Sequence, residues 1–260
     1  MKKEKYSVPA IDHAVSIFEY LSKDHMEGKT LKEISESVGL NRSTCFRILQ
    51  SLQKYNFVSY NSRQKTYKLG HYLSFLGSKA SRSLLDIKFM QPFLEKATQL
   101  TNQTCVISQR FSNNQIVYVA KQESSSALRI NVEIGQRRPI TSTAAGKCFL
   151  AYLEREEIED IIDSCGGLQA YTPHTIVDKE EFLENLAMSK KRGYALSLQE
   201  CLLGINGVAA PIFDANNQVC YTLFLSCLSA QNDEEKLHAY GSVLKQISEQ
   251  ITRESSNHGI

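Results

Sequence analysis

The sequence has no tryptophan, five prolines and only 13 glycines in 260 residues. So little glycine and proline excludes a collagen. With 42% hydrophobic and 22% charged residues, the chain is neither disordered nor a long coiled coil. At roughly 150 residues per domain, its length fits one large domain or two small ones. No apolar run reaches the roughly 18 residues a membrane helix requires. The start, MKKEKYSVPAIDH, has a basic tip and no apolar stretch behind it, so no secretory signal is expected. The seven cysteines are odd in number and scattered, which argues against a disulfide framework and for a reducing cytoplasm.

Signatures of catalysis are equally scarce. There is no G-x-S-x-G nucleophile elbow and no H-E-x-x-H metal helix. Histidines at 13, 25, 71, 174, 238 and 258 are too dispersed to pair locally, and no two cysteines form C-x-x-C. Cys201, Cys220 and Cys227 could converge with His174 on zinc, but small buried hydrophobes are the simpler reading. Gly146-Lys147 looks like the end of a phosphate-binding loop. However, Thr141 stands where that motif needs glycine, and Cys148 where it needs serine or threonine. No catalytic residue, cofactor or metal is therefore expected. Arg129 and Arg137-Arg138 read as solvated or interface charges rather than an anion clamp.

What is present is an uneven charge. Residues 1–80 hold 13 Lys+Arg against 7 Asp+Glu, a net +6, and the remainder carries −4. A basic first third suggests a polyanionic partner. That segment reads as three short helices. Pro9 suits a helix entry, and Ile11, Val15, Phe18 and Leu21 share a face. Thr30 with Glu33 has the form of a capping box ahead of Leu31, Ile34 and Val38, and Gly39 suits the stop. Asn41 can cap a third helix with Cys45, Ile48, Leu49 and Leu52 inward, Phe46 adding to that stripe.

The other face of the third helix presents Ser43, Arg47, Gln50 and Lys54 at spacings of four, three and four, flanked by Arg42, Thr44 and Ser51. It has donors and no carboxylates. A helix so placed, about three residues after a short helix, is the second helix of a helix-turn-helix, which reads base edges in the major groove. Arg47 suits guanine O6/N7 and Gln50 suits adenine N6/N7. Alone, this face could equally be a solvated helix surface. Residues 57–60 and 66–69 then form two β-prone runs around a turn carrying Arg63 and Lys65, a wing whose cations would meet phosphate. Residues 70–84 read as a linker helix with Leu73, Leu76 and Ala80 in a stripe, able to help pair two subunits. A following helix has Phe89, Phe93, Leu94, Ala97 and Leu100 on its apolar side, with Pro92 near its start or kinking it.

From residue 102 the pattern mixes strand and helix. Strands are expected at 104–111, 115–121, 128–134, 208–213 and 219–226, and amphipathic helices at 154–164, 179–192 and 233–253. A polar loop at 141–143 runs into a helix.

Together the motifs resemble the IclR family of bacterial transcriptional regulators over residues 8–254. They are Leu40-Asn41-Arg42-Ser43-Thr44 leading into Phe46-Arg47-Ile48-Leu49; Tyr67-Lys68-Leu69-Gly70; Thr143-Ala144-Ala145-Gly146-Lys147; Tyr171-Thr172-Pro173; and Gly193-Tyr194-Ala195 through Glu200 and Gly204 to Val208-Ala209-Ala210-Pro211-Ile212. The resemblance implies an α+β chain: a winged helix-turn-helix at 8–69, a linker helix at 70–84, a GAF-like α/β effector-binding domain at 85–254 and a polar tail at 255–260. It implies binding to double-stranded DNA at a palindromic operator as a homodimer or dimer of dimers, and control of a catabolic operon by a small organic acid or aromatic metabolite. DNA-contacting residues would be Asn41, Arg42, Ser43, Thr44, Arg47, Gln50, Lys54, Arg63 and Lys65.

The effector pocket implied by the resemblance is built from Thr143, Ala144, Ala145, Gly146, Ser197, Gly207, Phe224 and Ser226, with helix-start amides available to a carboxylate. Relatives often carry aspartate at Ser197, glutamate at Gln199 and a small polar residue at Phe224, while Glu200 is kept. Losing an acid and gaining a ring points to a less polar or aromatic ligand. The rival readings are a metabolic enzyme or sensor whose winged domain serves protein contacts, and a binding module that does not touch DNA.

Overall fold

The computed structural model describes residues 8–22, 28–80, 83–127 and 129–258. The chain divides into two compact units, residues 1–84 and 85–260.

In the first unit, α1 (Pro9–Leu21) begins on its proline, whose missing N–H and fixed φ suit a first helical turn. Strand β1 (Lys29–Thr30) runs directly into α2 (Leu31–Ser37). Thr30 and Glu33 form the reciprocal capping box, each satisfying the other's backbone N–H. Gly39 takes φ +68° in the turn, and Asn41 caps α3 (Arg42–Lys54) by accepting the Thr44 amide at 2.8 Å. Strands β2 (Val58–Asn61) and β3 (Thr66–Leu69) pair antiparallel, and β1 adds to the outer side of β3. Most of the expected core residues meet: Leu21, Ile34, Cys45, Leu49, Val58 and Tyr67 are buried together. The face of α1 is the exception. Ile11 and Val15 are 61% and 47% exposed, and Ile17 is the fully buried residue instead. The helix has apolar residues on two sides, and only the side facing α2, α3 and β3 is covered. Phe46 is likewise exposed. Helix α4 (Tyr72–Ala80) follows the wing, with Tyr72, Phe75 and Leu76 exposed.

The second unit is a six-stranded antiparallel sheet between two helical layers. Its strands are β4 (Cys105–Arg110), β5 (Gln115–Gln122), β6 (Arg137–Pro139), β7 (Ala195–Leu198), β8 (Ile205–Phe213) and β9 (Val219–Leu228), in the order β6-β5-β4-β9-β8-β7. Successive side chains point to opposite faces of a strand, and both faces here are apolar. Cys105, Ile107, Val208, Ala210, Leu223 and Leu225 pack with α5 (Ser83–Thr101) and α9 (Glu234–His258). The alternate residues Val106, Ala209 and Phe224 pack with α6 (Ala144–Leu150), α7 (Arg155–Ser164) and α8 (Lys179–Arg192).

Four expectations are corrected. The segment read as a strand at 128–134 is not one over its described residues, 129–134. Ile130 and Val132 instead fold against the α6 face, and β5 takes residues 135–139 as its edge partner, with Gly135 at φ +86° making the turn. Strand β7 was not anticipated: four residues between a helix and a turn carry little periodicity. Leu100 is exposed, since α5 covers the sheet with Met90, Phe93, Leu94 and Ala97. Helix α9 continues to His258, through residues read as tail.

Candidate nucleic-acid interface and ligand pocket

The solvent face of α3 is basic because its inward positions are spent on Cys45 and Leu49. Arg42, Ser43, Arg47, Gln50 and Lys54 are exposed along it, Thr44 is half-buried, and the helix contains no carboxylate. Asn41 and Ser43 are partly committed to the helix start. The Asn41 carbonyl accepts both the Thr44 amide and the Ser43 hydroxyl, each at 2.8 Å. The Gln50 side-chain amide donates to Gln53 Oε1 at 3.5 Å, one turn along the helix. Lys54 holds its ammonium 5.5 Å from the centre of the Tyr55 ring. Among the described residues Arg47 has no ion-pair partner. At the wing tip Asn61 accepts the amides of Arg63 and Gln64, and Lys65 adopts φ +54°, so Arg63 and Lys65 are carried on a tight, ordered turn.

In the second unit the sheet and α6 enclose a cavity with about 460 Å³ of space not filled by atoms, part of it open to solvent. Thr143 is the N-cap of α6: its hydroxyl donates to Pro139 O and accepts the Gly146 amide, both at 3.0 Å. Gly146 sits where a Cβ would run into the Ile140 backbone, so α6 presses against the strand end as only a glycine permits. Gly207 opens the floor. A Cβ there would lie 3.2 Å from the Phe224 ring, 3.4 Å from Ala144 and 3.7 Å from Ser197, which shows how closely β7, β8, β9 and α6 converge.

Six of the eight expected pocket residues line this cavity: Thr143, Ala144, Ser197, Gly207, Phe224 and Ser226. Ala145 and Gly146 do not. They are buried on the sides of α6 that face the domain core and the Ile140 backbone. The Gly146 amide is also taken by Thr143, so it is not open to an anion.

Several wall residues escaped the sequence reading. Arg138, read as a solvated or interface charge, lines the cavity from β6, as do Tyr118 from β5, Asn206 from β8 and Cys201 from the β7–β8 loop. The Arg138 guanidinium lies near the Tyr118 hydroxyl, and burial pushes that phenol up to about 12 against the pull of the neighbouring positive charge. The Tyr118 and Phe224 rings stack, centroids 5.7 Å apart at 21°. Alternation along β5 was the only signal for Tyr118. Nothing local marks Arg138, because a three-residue edge strand takes its direction from its neighbour.

Lys147 is wholly buried one turn into α6. Its ammonium donates to Glu200 Oε1 at 2.6 Å and Leu196 O at 3.3 Å, so this lysine is a strut inside the domain and binds no phosphate. Glu200 belongs to the β7–β8 loop, which also holds Cys201 and Leu202 over the cavity. Thr172 and Thr175 pin the same loop by donating their hydroxyls to Gln199 O and Glu200 O, each at 2.7 Å. The cysteines considered for zinc are dispersed: Cys227 lies in the α5/α9 core, Cys220 at its margin and Cys201 at the cavity.

Comparison with known proteins decides the family. Residues 81–253 match the C-terminal domain of bacterial transcriptional regulator IclR, and residues 10–62 match the IclR helix-turn-helix domain. The chain belongs to the IclR family. It is 29% identical to the transcriptional regulator KdgR of Dickeya chrysanthemi over 258 residues, covering 99% of this chain and 83% of that one. It is 27% identical to the transcriptional repressor AllR of Escherichia coli K12 over 243 residues, covering 94% and 89%. An IclR transcriptional regulator from Alicyclobacillus acidocaldarius has the same fold, with TM-score 0.82 and 31% identity over 95% of this chain and 99% of that one. The protein is thus an IclR-family transcriptional regulator with an N-terminal DNA-binding helix-turn-helix domain and a C-terminal effector-binding domain. Among its described residues no helix is long and apolar enough to cross a membrane.

Proposed function

We propose that this IclR-family regulator reads a palindromic operator in the cytoplasm as a homodimer or dimer of dimers. It acts by binding rather than by turnover, and controls a catabolic operon. The observation that carries this is the exposed, acid-free face of α3, with Arg47 unpaired among the described residues and the basic wing turn beside the helix in sequence. Arg47 and Gln50 read base edges, with Arg42, Ser43, Thr44 and Lys54 around them. Arg63 and Lys65 hold phosphate and fix register. Asn41 contributes mainly by shaping the helix start. Two copies would place their α3 helices in half-sites about one helical turn apart, or a multiple of it.

The control site is the cavity between α6 and the sheet, where Thr143, Ala144, Ser197, Gly207, Phe224 and Ser226 converge. A small metabolite there shifts operator affinity only if it binds one arrangement of the assembly more tightly than the other.

The test is titration of the protein against its own upstream region, across a salt series, beside scrambled DNA of equal length. A footprint over an inverted repeat, tighter than the control by about 10³ or more, is expected. Equal, steeply salt-dependent affinity for both fragments would overturn sequence-specific reading of that region.

A further inference from the structure

Within the first unit an open groove runs between the start of α1 and one flank of α3. Its floor is apolar, from Ala10 and Ala14 on α1 and Ile48 and Leu52 on α3. Its polar groups are His13 from α1 and Thr44, Arg47 and Ser51 from α3, and neither aspartate nor glutamate lines it. Thr44, Arg47 and Ser51 stand three and four residues apart, so a single side of the helix presents all three. Arg47 thus belongs both to the reading face and to the groove.

These polar groups are uncommitted. Among the described residues the side chains of His13, Thr44, Arg47 and Ser51 make no hydrogen bond or ion pair. His13 is half-buried, and an imidazole carries at least one N–H in either protonation state. A donor held in place with no partner inside the protein is available to an acceptor outside it. The chemistry of the groove matches a nucleic-acid backbone: donors and a guanidinium for phosphate oxygens, no carboxylate to repel them, and an apolar floor for the sugar. A helix in the major groove lies between two such backbones, so a duplex engaged by α3 brings one of them to this flank.

We propose that this groove seats a sugar–phosphate strand of the bound duplex, and that His13 is a phosphate contact made from α1, across the groove from Arg47. This rests on α3 being the reading helix, and it extends the DNA interface to a helix whose sequence marks it only as core. The contact carries no base information. It fixes the angle and depth at which α3 enters the major groove. A second copy of the chain is the other possible occupant, and it would show itself as a change in assembly.

The test uses the full-length chain with two duplexes of equal length, its upstream fragment and a scrambled counterpart, each titrated over a salt series. His13→Ala, His13→Gln, His13→Glu and His13→Lys are compared with the wild type, with thermal melts and sedimentation reporting fold and assembly. His13→Ala is expected to weaken both duplexes alike, by roughly three- to tenfold, and His13→Gln, which keeps a donor, by less. His13→Glu should lose more than His13→Ala at low salt, the difference shrinking as salt screens the repulsion. His13→Lys should hold affinity and steepen the salt slope by about 1. Phosphate-ethylation interference should show a backbone position that matters to the wild type and not to His13→Ala. Unchanged affinity in both His13→Ala and His13→Glu, a loss confined to one base position, or altered assembly in place of altered affinity would each overturn the proposal. The scrambled duplex keeps the two questions apart, because a phosphate contact acts on any sequence. A wild type without preference for the upstream fragment would defeat sequence-specific reading there and leave the His13 effect standing. Normal preference with indifferent His13 variants would defeat the His13 assignment alone.

Discussion

Lys147 and Glu200 meet at 2.6 Å with side chains 0% and 5% exposed, joining the helix that walls the cavity to the loop that covers it. Burial works against both charges. It pushes the Glu200 carboxyl up and the Lys147 ammonium down from their ordinary values, and their mutual attraction only partly offsets this. Glu200 Oε2 is also left without a partner. A pair under such desolvation is costly to break yet gives little stability over an apolar pair of the same shape.

Glu200→Gln and Lys147→Met are therefore each expected to lose roughly 3–5 kcal/mol, while Lys147→Met/Glu200→Leu should recover most of that loss. Urea midpoints of the three variants check this. Additive losses in the double variant would show that the two groups do not act as a pair.

Buried thiols set an alkaline limit. Burial pushes Cys105 up to about 11 and Cys148 and Cys227 up to about 12. A raised value in the folded state means that the unfolded chain releases these protons first. Their contribution is fully present below the ordinary thiol value near 9 and is lost as pH rises toward 12. Thermal melts should therefore fall steadily over that window. At pH 8, alkylation followed by peptide mass spectrometry should label Cys165 and Cys201, which are half-buried, well before Cys105, Cys148 and Cys227. Uniform labelling would contradict the burial pattern.

The two cationic elements of the first unit should separate by salt dependence. Arg47→Ala is expected to cost roughly 1–3 kcal/mol of discrimination at one base position. Lys65→Ala should weaken all sequences alike and reduce the salt slope by about 1. Competition titrations against single-base operator variants at several salt concentrations distinguish them. Identical behaviour of both variants would contradict the division of roles.

Gly146→Ala sets a Cβ against the Ile140 backbone, which has no side chain to move aside. A loss of about 3 kcal/mol is expected, with α6 displaced from the strand end. Gly207→Ala is milder for the fold, because the added methyl meets the Phe224 ring at 3.2 Å. It should instead narrow the cavity and weaken any ligand there. Denaturation curves beside probe titrations read the two effects separately.

Local chemistry was legible wherever it acts within a few residues. The Thr30–Glu33 box, the Asn41 cap and the wing turn at Arg63 and Lys65 each depend on side chains meeting backbone within four positions, the Gly39 stop depends on glycine's tolerance of positive φ, and all form as their spacing predicts. The α3 face was legible for a related reason: a helix with Cys45 and Leu49 inward has to turn Arg47 and Gln50 outward. By contrast, α1 offered two apolar sides, and only packing chose Ile17 over Ile11 and Val15.

The sequence by itself determined the three helices and hairpin of the first unit, the caps, the basic helix face and the family, because these rest on short-range spacing and motif order. Tertiary structure alone decided the pocket's chemistry. Arg138, Tyr118, Gly207 and Phe224 come from four strands, and their meeting depends on the order β6-β5-β4-β9-β8-β7, which no local pattern encodes. Tertiary structure also made Lys147 a strut, since its partner Glu200 lies 53 residues away in the chain. The physical reason is the same in both cases: a charge takes its role from the groups that surround it after burial, and those groups are set by long-range strand pairing.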